Sequence, residues 1–299
     1  MLPGMAAKPQ VAIVGAGNFG SALALALRRA GYAIEVVVGR ARGESLSSGS
    51  LRGGSLNTAQ KLARQVGART SRDLSAVRAK LIWFCVPDAE IARAAKSLAE
   101  KVEWKGRVAL HSSGALTSDE LAVLRRRGAA VASVHPLMTF VRGSRPSLAG
   151  VSFAVEGDAA AVRVARRVVR DVGGRAYSIR ERDKAAYHAW GTFASPLFTA
   201  LLATTEQVAA LAGVSRKAAK QRMIPILLQT LANYAAFGAA DGFSGPIVRG
   251  DVDTVRRHLR VLRGTPAAEV YSALALAALQ YLPVKQKKAL KRILNSSRD

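Results

Sequence analysis

One ten-residue stretch, Val11-Ala12-Ile13-Val14-Gly15-Ala16-Gly17-Asn18-Phe19-Gly20, constrains this chain more than any other. Its four apolar residues read as a strand of the kind buried on both faces. They run straight into G-x-G-x-x-G and then into Ser21-Ala22-Leu23-Ala24-Leu25-Ala26-Leu27, a strong helix former. Strand, glycine turn and helix in that order form the fingerprint of a dinucleotide site. Gly15 then makes the tight turn, Gly17 lets the backbone approach a pyrophosphate, and Gly20 lets helix and strand pack closely. The helix start, with Asn18 and Phe19 in its first turn, offers free N–H groups and a positive dipole end to the phosphates.

The end of the second strand bears on which dinucleotide. An NAD site places an acidic residue about 20 residues past the glycines, where it accepts hydrogen bonds from the ribose 2′-hydroxyl. Here Ile34-Glu35-Val36-Val37-Val38 leads into Gly39-Arg40, followed by Arg42 and Ser45. A carboxylate would repel a 2′-phosphate, whereas a guanidinium grips one through charge-assisted bonds. With the acid missing and Arg40 in its place, the expected cofactor is NADP(H).

At 299 residues the chain suits two domains, and 49% hydrophobic content is ample for packed cores. The single cysteine, Cys85, sits in the apolar run Leu81-Ile82-Trp83-Phe84-Cys85-Val86 and reads as a strand residue; one cysteine makes neither an internal disulfide nor a zinc cluster. The first residues lack an apolar signal core, so a cytoplasmic protein is expected. The net charge of +25 would ordinarily suggest nucleic acid. It is spread evenly, however: residues 1–181 carry 28 basic and 13 acidic side chains, and residues 182–299 carry 17 and 7. With no basic arm and no recognition motif, specific nucleic-acid binding is not expected. Two charge-free stretches, 185–205 and 224–240, contain His188, Pro196, Pro225, Gln229 and Asn233. They read as helices buried on nearly every side in a helical domain or a subunit interface, not as membrane spans.

The first part alternates strand and helix patterns. Strands are expected over 11–14, 34–39, 68–70, 80–86, 107–111, 130–134, 151–155 and 175–179. Helices are expected over 18–30, 58–66, from 89 (with Asp88 as N-cap), 117–127 and 159–172. This is the pattern of a doubly wound, mainly parallel Rossmann sheet. From 182 onward the pattern is helical throughout, which sets the domains at 1–181 for the dinucleotide and 182–299 for an all-helical substrate and dimerisation domain.

Ligands in such sheets bind beyond the carboxyl ends of strands. The residues there are Val86-Pro87-Asp88, His111-Ser112-Ser113-Gly114 and Val134-His135-Pro136. Val86 and Pro87 can shape the nicotinamide end. Ser112 and Ser113 offer hydroxyl and N–H donors to a substrate carboxylate or carbonyl, and His135 points at the same edge. Lys184 and His188, four apart, share one helix face and can move a proton to or from a substrate oxygen. Arg249, in the loop Ser244-Gly245-Pro246-Ile247-Val248-Arg249-Gly250-Asp251, can reach an anionic substrate, and Asp251 can cap the next helix with Thr254 at its third position.

Taken together, these segments resemble a known family. The N-terminal half resembles the NADP oxidoreductases grouped with the deazaflavin-coenzyme-dependent enzymes. The whole chain resembles bacterial Rossmann proteins with a helical C-terminal domain of unknown function. More distantly it is similar to β-hydroxyacid dehydrogenases, ketopantoate reductase and pyrroline-5-carboxylate reductase. The hydroxyacid enzymes use a lysine and, four residues later, an asparagine at the start of the helical domain. Lys184 matches that lysine, while His188 stands where the asparagine would be. The resemblance implies hydride transfer to or from a small carbonyl, hydroxyl or imine compound, and a dimer through the helical domain. The departure at His188 leaves a non-catalytic, NADP-responsive binding protein as the alternative.

Overall fold

The computed structural model describes residues 7–39, 56–71, 77–144 and 146–296. The first part alternates as expected: β1 (Val11–Val14), α1 (Asn18–Arg29), β2 (Ile34–Val38), α2 (Leu56–Val66), β3 (Arg69–Ser71), β4 (Leu81–Phe84), α3 (Asp88–Ala99) and β5 (Val108–His111). A 3-10 turn, Ser118–Leu121, leads into the short α4 (Ala122–Arg125), then β6 (Ala130–Pro136), β7 (Ser152–Gly157), α5 (Ala159–Asp171) and β8 (Arg175–Ser178). These strands make one eight-stranded sheet in the order β3-β2-β1-β4-β5-β6-β7-β8. Every pairing is parallel except β6 with β7. This is the doubly wound, mainly parallel α/β sheet that the pattern predicts.

Alternation along each strand builds two cores, one on each face of the sheet. Val11, Ile13, Trp83 and Leu110 pack with Leu23 and Leu27 of α1, Leu62 of α2 and Val168 of α5. Their neighbours Ala12, Val14, Ile82 and Phe84 pack with Ile91 and Leu98 of α3 and Leu124 of α4 on the other face. The central strands are therefore continuous apolar runs, as strands covered by helices on both sides must be.

The register carries the functional consequence. Val14 pairs with Phe84, Phe84 with His111, and His111 with Ser133, so β1, β4 and β5 end level while β6 runs on three residues past that edge to Pro136. The chain winds one way from β1 to β3 and returns to place β4 on the other side of β1. The switch point of the topology lies there, which is where such sheets leave a crevice.

The chain folds as two compact units, Met1–Thr192 and Phe193–Asp299. Helix α6 (Lys184–Thr192) thus packs with the sheet although it follows the last strand. The second unit is helical: α7 (Phe198–Leu211), α8 (Arg216–Asp241), α9 (Pro246–Arg249), α10 (Val252–Leu262), α11 (Pro266–Tyr281) and α12 (Lys287–Ser296). Its core is formed by Val255 and Leu259 of α10, Ala275 and Leu279 of α11, and Leu290 and Leu294 of α12.

Two expectations need correction. Asp88 does not cap α3 with its side chain: Pro87 holds the cap position, and Asp88 is the first helical residue. Nor are the charge-free stretches buried on nearly every side: Trp190, Phe193 and Leu197 of 185–205 are exposed, and the same holds for 224–240. That second stretch lies in α8, where Ile226, Leu228, Leu231, Tyr234 and Phe237 are each more than half exposed. The helix meets the length and composition of a membrane span, with Pro225 inside it and a kink at Gly238. Its apolar character comes from all faces, so the chain's own unit can cover only part of it.

The sheet face of α1 carries Gly20, Ala22, Leu23, Ala24 and Leu27 at helical spacing. Leu23 is fully buried, so Leu23→Ala is expected to cost about 2–5 kcal/mol from the lost transfer energy and the cavity left behind, measured by denaturant unfolding.

Candidate functional site

The glycine turn begins as β1 ends. Gly15 adopts φ +107°, and a Cβ on it would lie 2.5 Å from the Cys85 carbonyl oxygen at the end of β4. A Cβ on Gly20 would lie 2.2 Å from the Gly15 carbonyl oxygen, so α1 starts tight against the turn. Beside Gly17 an added Cβ meets nothing within 4 Å. The first turn-closing bond of α1 runs from Ser21 N–H to the Gly17 carbonyl. The N–H groups of Asn18, Phe19 and Gly20 therefore have no helical partner. Gly17 supplies no capping side chain, and the first turn holds no acid. An open cradle with free donors and a positive dipole end fits a diphosphate.

The other residues expected at the cofactor lie around it. The Asn18 side chain donates to the Phe140 carbonyl at 3.0 Å, and the Phe19 ring meets Phe140 edge-on at 5.1 Å. Val86 lines a cavity of about 150 Å³ together with Phe19, Cys85, Ser112, His135 and Pro136. Pro87 is exposed one residue further on. Desolvation pushes the Cys85 thiol up, so it stays protonated as part of the wall. Arg40, with Arg42 and Ser45, lies outside the described residues. A separate cavity of about 350 Å³, lined by Arg29, Ser147 and Asp171 near the ends of α1 and α5, holds none of the expected site residues.

The two serines after β5 differ sharply. Ser112 Oγ accepts from the buried Trp83 indole at 2.8 Å and faces the cavity. Ser113 is 3% exposed; its hydroxyl donates to Asp88 at 2.8 Å and accepts from the Ala115 and Leu116 N–H groups. Its hydrogen-bonding capacity is thus used within the turn, and Ser112 is the serine that can meet a ligand. His111 is buried, with Nδ1 accepting from Ser113 N–H at 3.1 Å and Nε2 lying 2.9 Å from the Thr117 carbonyl. It braces the turn.

Helix α6 brings Lys184, Tyr187 and His188 to the same strand ends. Lys184 is 1% exposed. Its ammonium donates to Ser133 Oγ at 2.7 Å and to the Ser113 carbonyl at 3.2 Å, and lies 3.6 Å from Glu156 Oε1. Glu156, on β7, accepts from Ser118 N–H at 2.8 Å, and its second oxygen has no hydrogen-bond partner among the described residues. Burial pushes the lysine down and the carboxyl up, while their attraction opposes both shifts. Sequence reasoning passed over Glu156; the available signal was an acid inside the apolar run Ser152-Phe153-Ala154-Val155-Glu156.

His135 and His188 meet above Gly114. Their rings are 6.1 Å apart and near-perpendicular. A Cβ on Gly114 would sit 2.7 Å from His188 Cδ2 and 2.8 Å from His135 Nε2, so only glycine leaves room for both. His135 Nδ1 lies 2.7 Å from the Tyr187 hydroxyl. His188 is exposed. Arg249 belongs to the second unit, where it is exposed at the end of α9; Asp251 caps α10 there by accepting from Thr254 N–H at 3.0 Å.

Residues 5–136 match the family model of a Rossmann-like domain, and residues 151–278 match that of a domain of unknown function, DUF2520. The fold is thus Rossmann-like α/β, followed by a region that matches DUF2520. No curated protein matches it in sequence. Among solved structures, it is similar in fold to a candidate NADP oxidoreductase from Bacteroides fragilis: TM-score 0.72, 20% identity, covering 90% of this chain and 97% of that one. It is also similar to a reductive aminase from Aspergillus terreus in complex with NADPH and ethyl-5-oxohexanoate: TM-score 0.64, 15% identity, covering 96% and 99%. A third is an imine reductase from Myxococcus stipitatus in complex with NADP+: TM-score 0.61, 17% identity, covering 97% and 100%.

Desolvation first, then neighbouring cations, holds His111 and His135 down to about 4 from the usual 6.5. Both are neutral near pH 7. Their contribution to stability is complete above pH 6.5 and is lost as pH falls toward 4, because the unfolded chain takes up protons that the folded one refuses. An NMR titration of the histidine ring protons is expected to show both midpoints near 4, and midpoints near 6.5 would contradict the burial described.

Proposed function

We propose that this chain is a cytoplasmic NADP(H)-dependent oxidoreductase that transfers a hydride between nicotinamide and a small anionic carbonyl, hydroxyl or imine compound. One observation carries the reading. The open glycine cradle at the start of α1 and the cavity lined by Ser112 and His135 share one edge of a Rossmann sheet, at its switch point. The complexes of the imine reductase with NADP+ and of the reductive aminase with NADPH support the same cofactor.

In this reading the N–H groups of Asn18, Phe19 and Gly20 hold the diphosphate, with Phe19, Val86 and Pro87 shaping the path toward the cavity. Arg40, in the position of the missing acid, selects the 2′-phosphate. The reduced nicotinamide, when bound, supplies the hydride. Ser112 and His135 orient the substrate's polar atoms, and the sequence offers Arg249 for its anionic end. His188, exposed on the same helix as Lys184, exchanges the proton. Lys184 fixes α6 against the strand ends from below.

The second reading is a non-catalytic, NADP-responsive binding protein, favoured by the burial of Lys184, whose ammonium is engaged by Ser113, Ser133 and Glu156. Tight NADPH binding without turnover across a broad panel of carbonyl and imine compounds would select it. The exposed apolar faces of α8 support a homodimer through the helical unit, since a soluble monomer rarely leaves so large an apolar surface in water.

Calorimetric titration is expected to show NADPH bound more tightly than NADH, with Arg40→Ala weakening NADPH roughly 10-fold or more and NADH little, as for loss of a charge-assisted bond. His188→Ala is expected to slow single-turnover hydride transfer by roughly 100-fold or more while leaving NADPH affinity unchanged. Light scattering is expected to give twice the 31.6 kDa chain mass, and Leu231→Glu or Phe237→Asp in α8 to shift it toward the monomer.

A further inference from the structure

Tyr187 has no part in the hydride or proton transfer described above, yet it is built into the site. Its side chain is 7% exposed and packs edge-on against His135 at 5.4 Å and against Trp190 at 6.1 Å. The hydroxyl ends 2.7 Å from His135 Nδ1 and 3.4 Å from the His135 carbonyl.

A phenol has one proton to donate; the neighbouring Tyr177 hydroxyl, another candidate acceptor, has no hydrogen-bond partner among the described residues, which leaves the two His135 distances to decide where the proton goes. A 2.7 Å separation is a strong O–H···N bond, whereas 3.4 Å is near the limit for any hydrogen bond. Burial keeps the phenol protonated, and His135 is neutral near pH 7, so its ring carries a single N–H. With Nδ1 accepting from Tyr187, that hydrogen sits on Nε2. Among the described residues Nε2 has no hydrogen-bond partner; it stands over Gly114, and the imidazole forms part of the cavity wall.

We propose that Tyr187 is a positioning residue that locks His135 in its Nε2–H form, so the cavity presents a donor and selects substrates with an acceptor atom beside the reacting carbon. A carbonyl oxygen or a carboxylate meets this requirement. A protonated iminium does not, because it has only a donor to offer. The tautomer rests on this geometry together with the neutrality of His135, and only the substrate class rests on the oxidoreductase reading.

The test is long-range proton–nitrogen NMR on protein carrying labelled histidine, with no cofactor added. His135 is assigned through His135→Gln. His111, whose Nδ1 accepts from Ser113 N–H, serves as an internal reference for the same form. Wild type is expected to show His135 wholly as Nε2–H with Nδ1 accepting a hydrogen bond. Tyr187→Phe keeps the ring and its packing, and is expected to turn His135 into a mixture of both forms while leaving His111 unchanged. A wild-type His135 protonated on Nδ1, or populations unmoved by Tyr187→Phe, would overturn the proposal. For selectivity, the NADPH complex is titrated with acetate and with methylammonium. A shift of His135 Nε2 with acetate alone is expected, and no response to acetate or an equal response to both overturns the acceptor preference. Failure to bind NADPH would remove the oxidoreductase reading while leaving the tautomer result standing.

Discussion

The site depends on how closely the first glycine turn approaches the end of β4. Gly15 lies so near the Cys85 carbonyl that no side chain fits between them, and Gly20 repeats the constraint one helical turn later. These contacts put the N-terminus of α1 beside the strand ends of β4, β5 and β6. A bulkier turn would tilt the helix away and separate the cradle from the cavity. The parallel register does the rest, since Val14, Phe84 and His111 end level with one another beside Ser133 of β6, which runs on to Pro136.

Beneath that edge lies a second constraint of a different kind. The Lys184 ammonium ties α6 to the turn after β5, to β6 and to β7 through the Ser113 carbonyl, Ser133 Oγ and Glu156. A buried ion pair adds little net stability, because two desolvated charges offset most of their attraction. Its effect is to fix position: removing one partner strands the other charge, so the arrangement tolerates few alternatives. The result is that Tyr187 and His188 are carried to His135 on a helix whose start cannot slide.

Much of this was legible in the sequence. Apolar strands, glycine breaks and helix formers gave the sheet and its helices, because strands covered on both sides leave a strong local signal. Ser112 and His135 stand out in the sequence for the same reason, as polar residues just past or at the ends of such strands. The partners of Lys184 were not legible. Ser133 and Glu156 lie on strands far earlier in the chain, and a lysine at a helix start ordinarily reaches solvent. Ser112 and Ser113 looked equivalent until the backbone turned one toward the cavity and the other toward Asp88. The apolar composition of α8 was plain, but composition cannot tell a helix covered by its own domain from one left exposed.

The proposed function comes down to one site, made of cradle, cavity and the His135–His188 pair, that would bind a dinucleotide at one end and a small polar compound at the other. A crystal structure of the NADPH complex tests this most directly. The account predicts diphosphate density against the N–H groups of Asn18, Phe19 and Gly20, with the nicotinamide reaching the cavity of Ser112 and His135. A diphosphate bound anywhere else, or no cofactor density in crystals grown with excess NADPH, would contradict it.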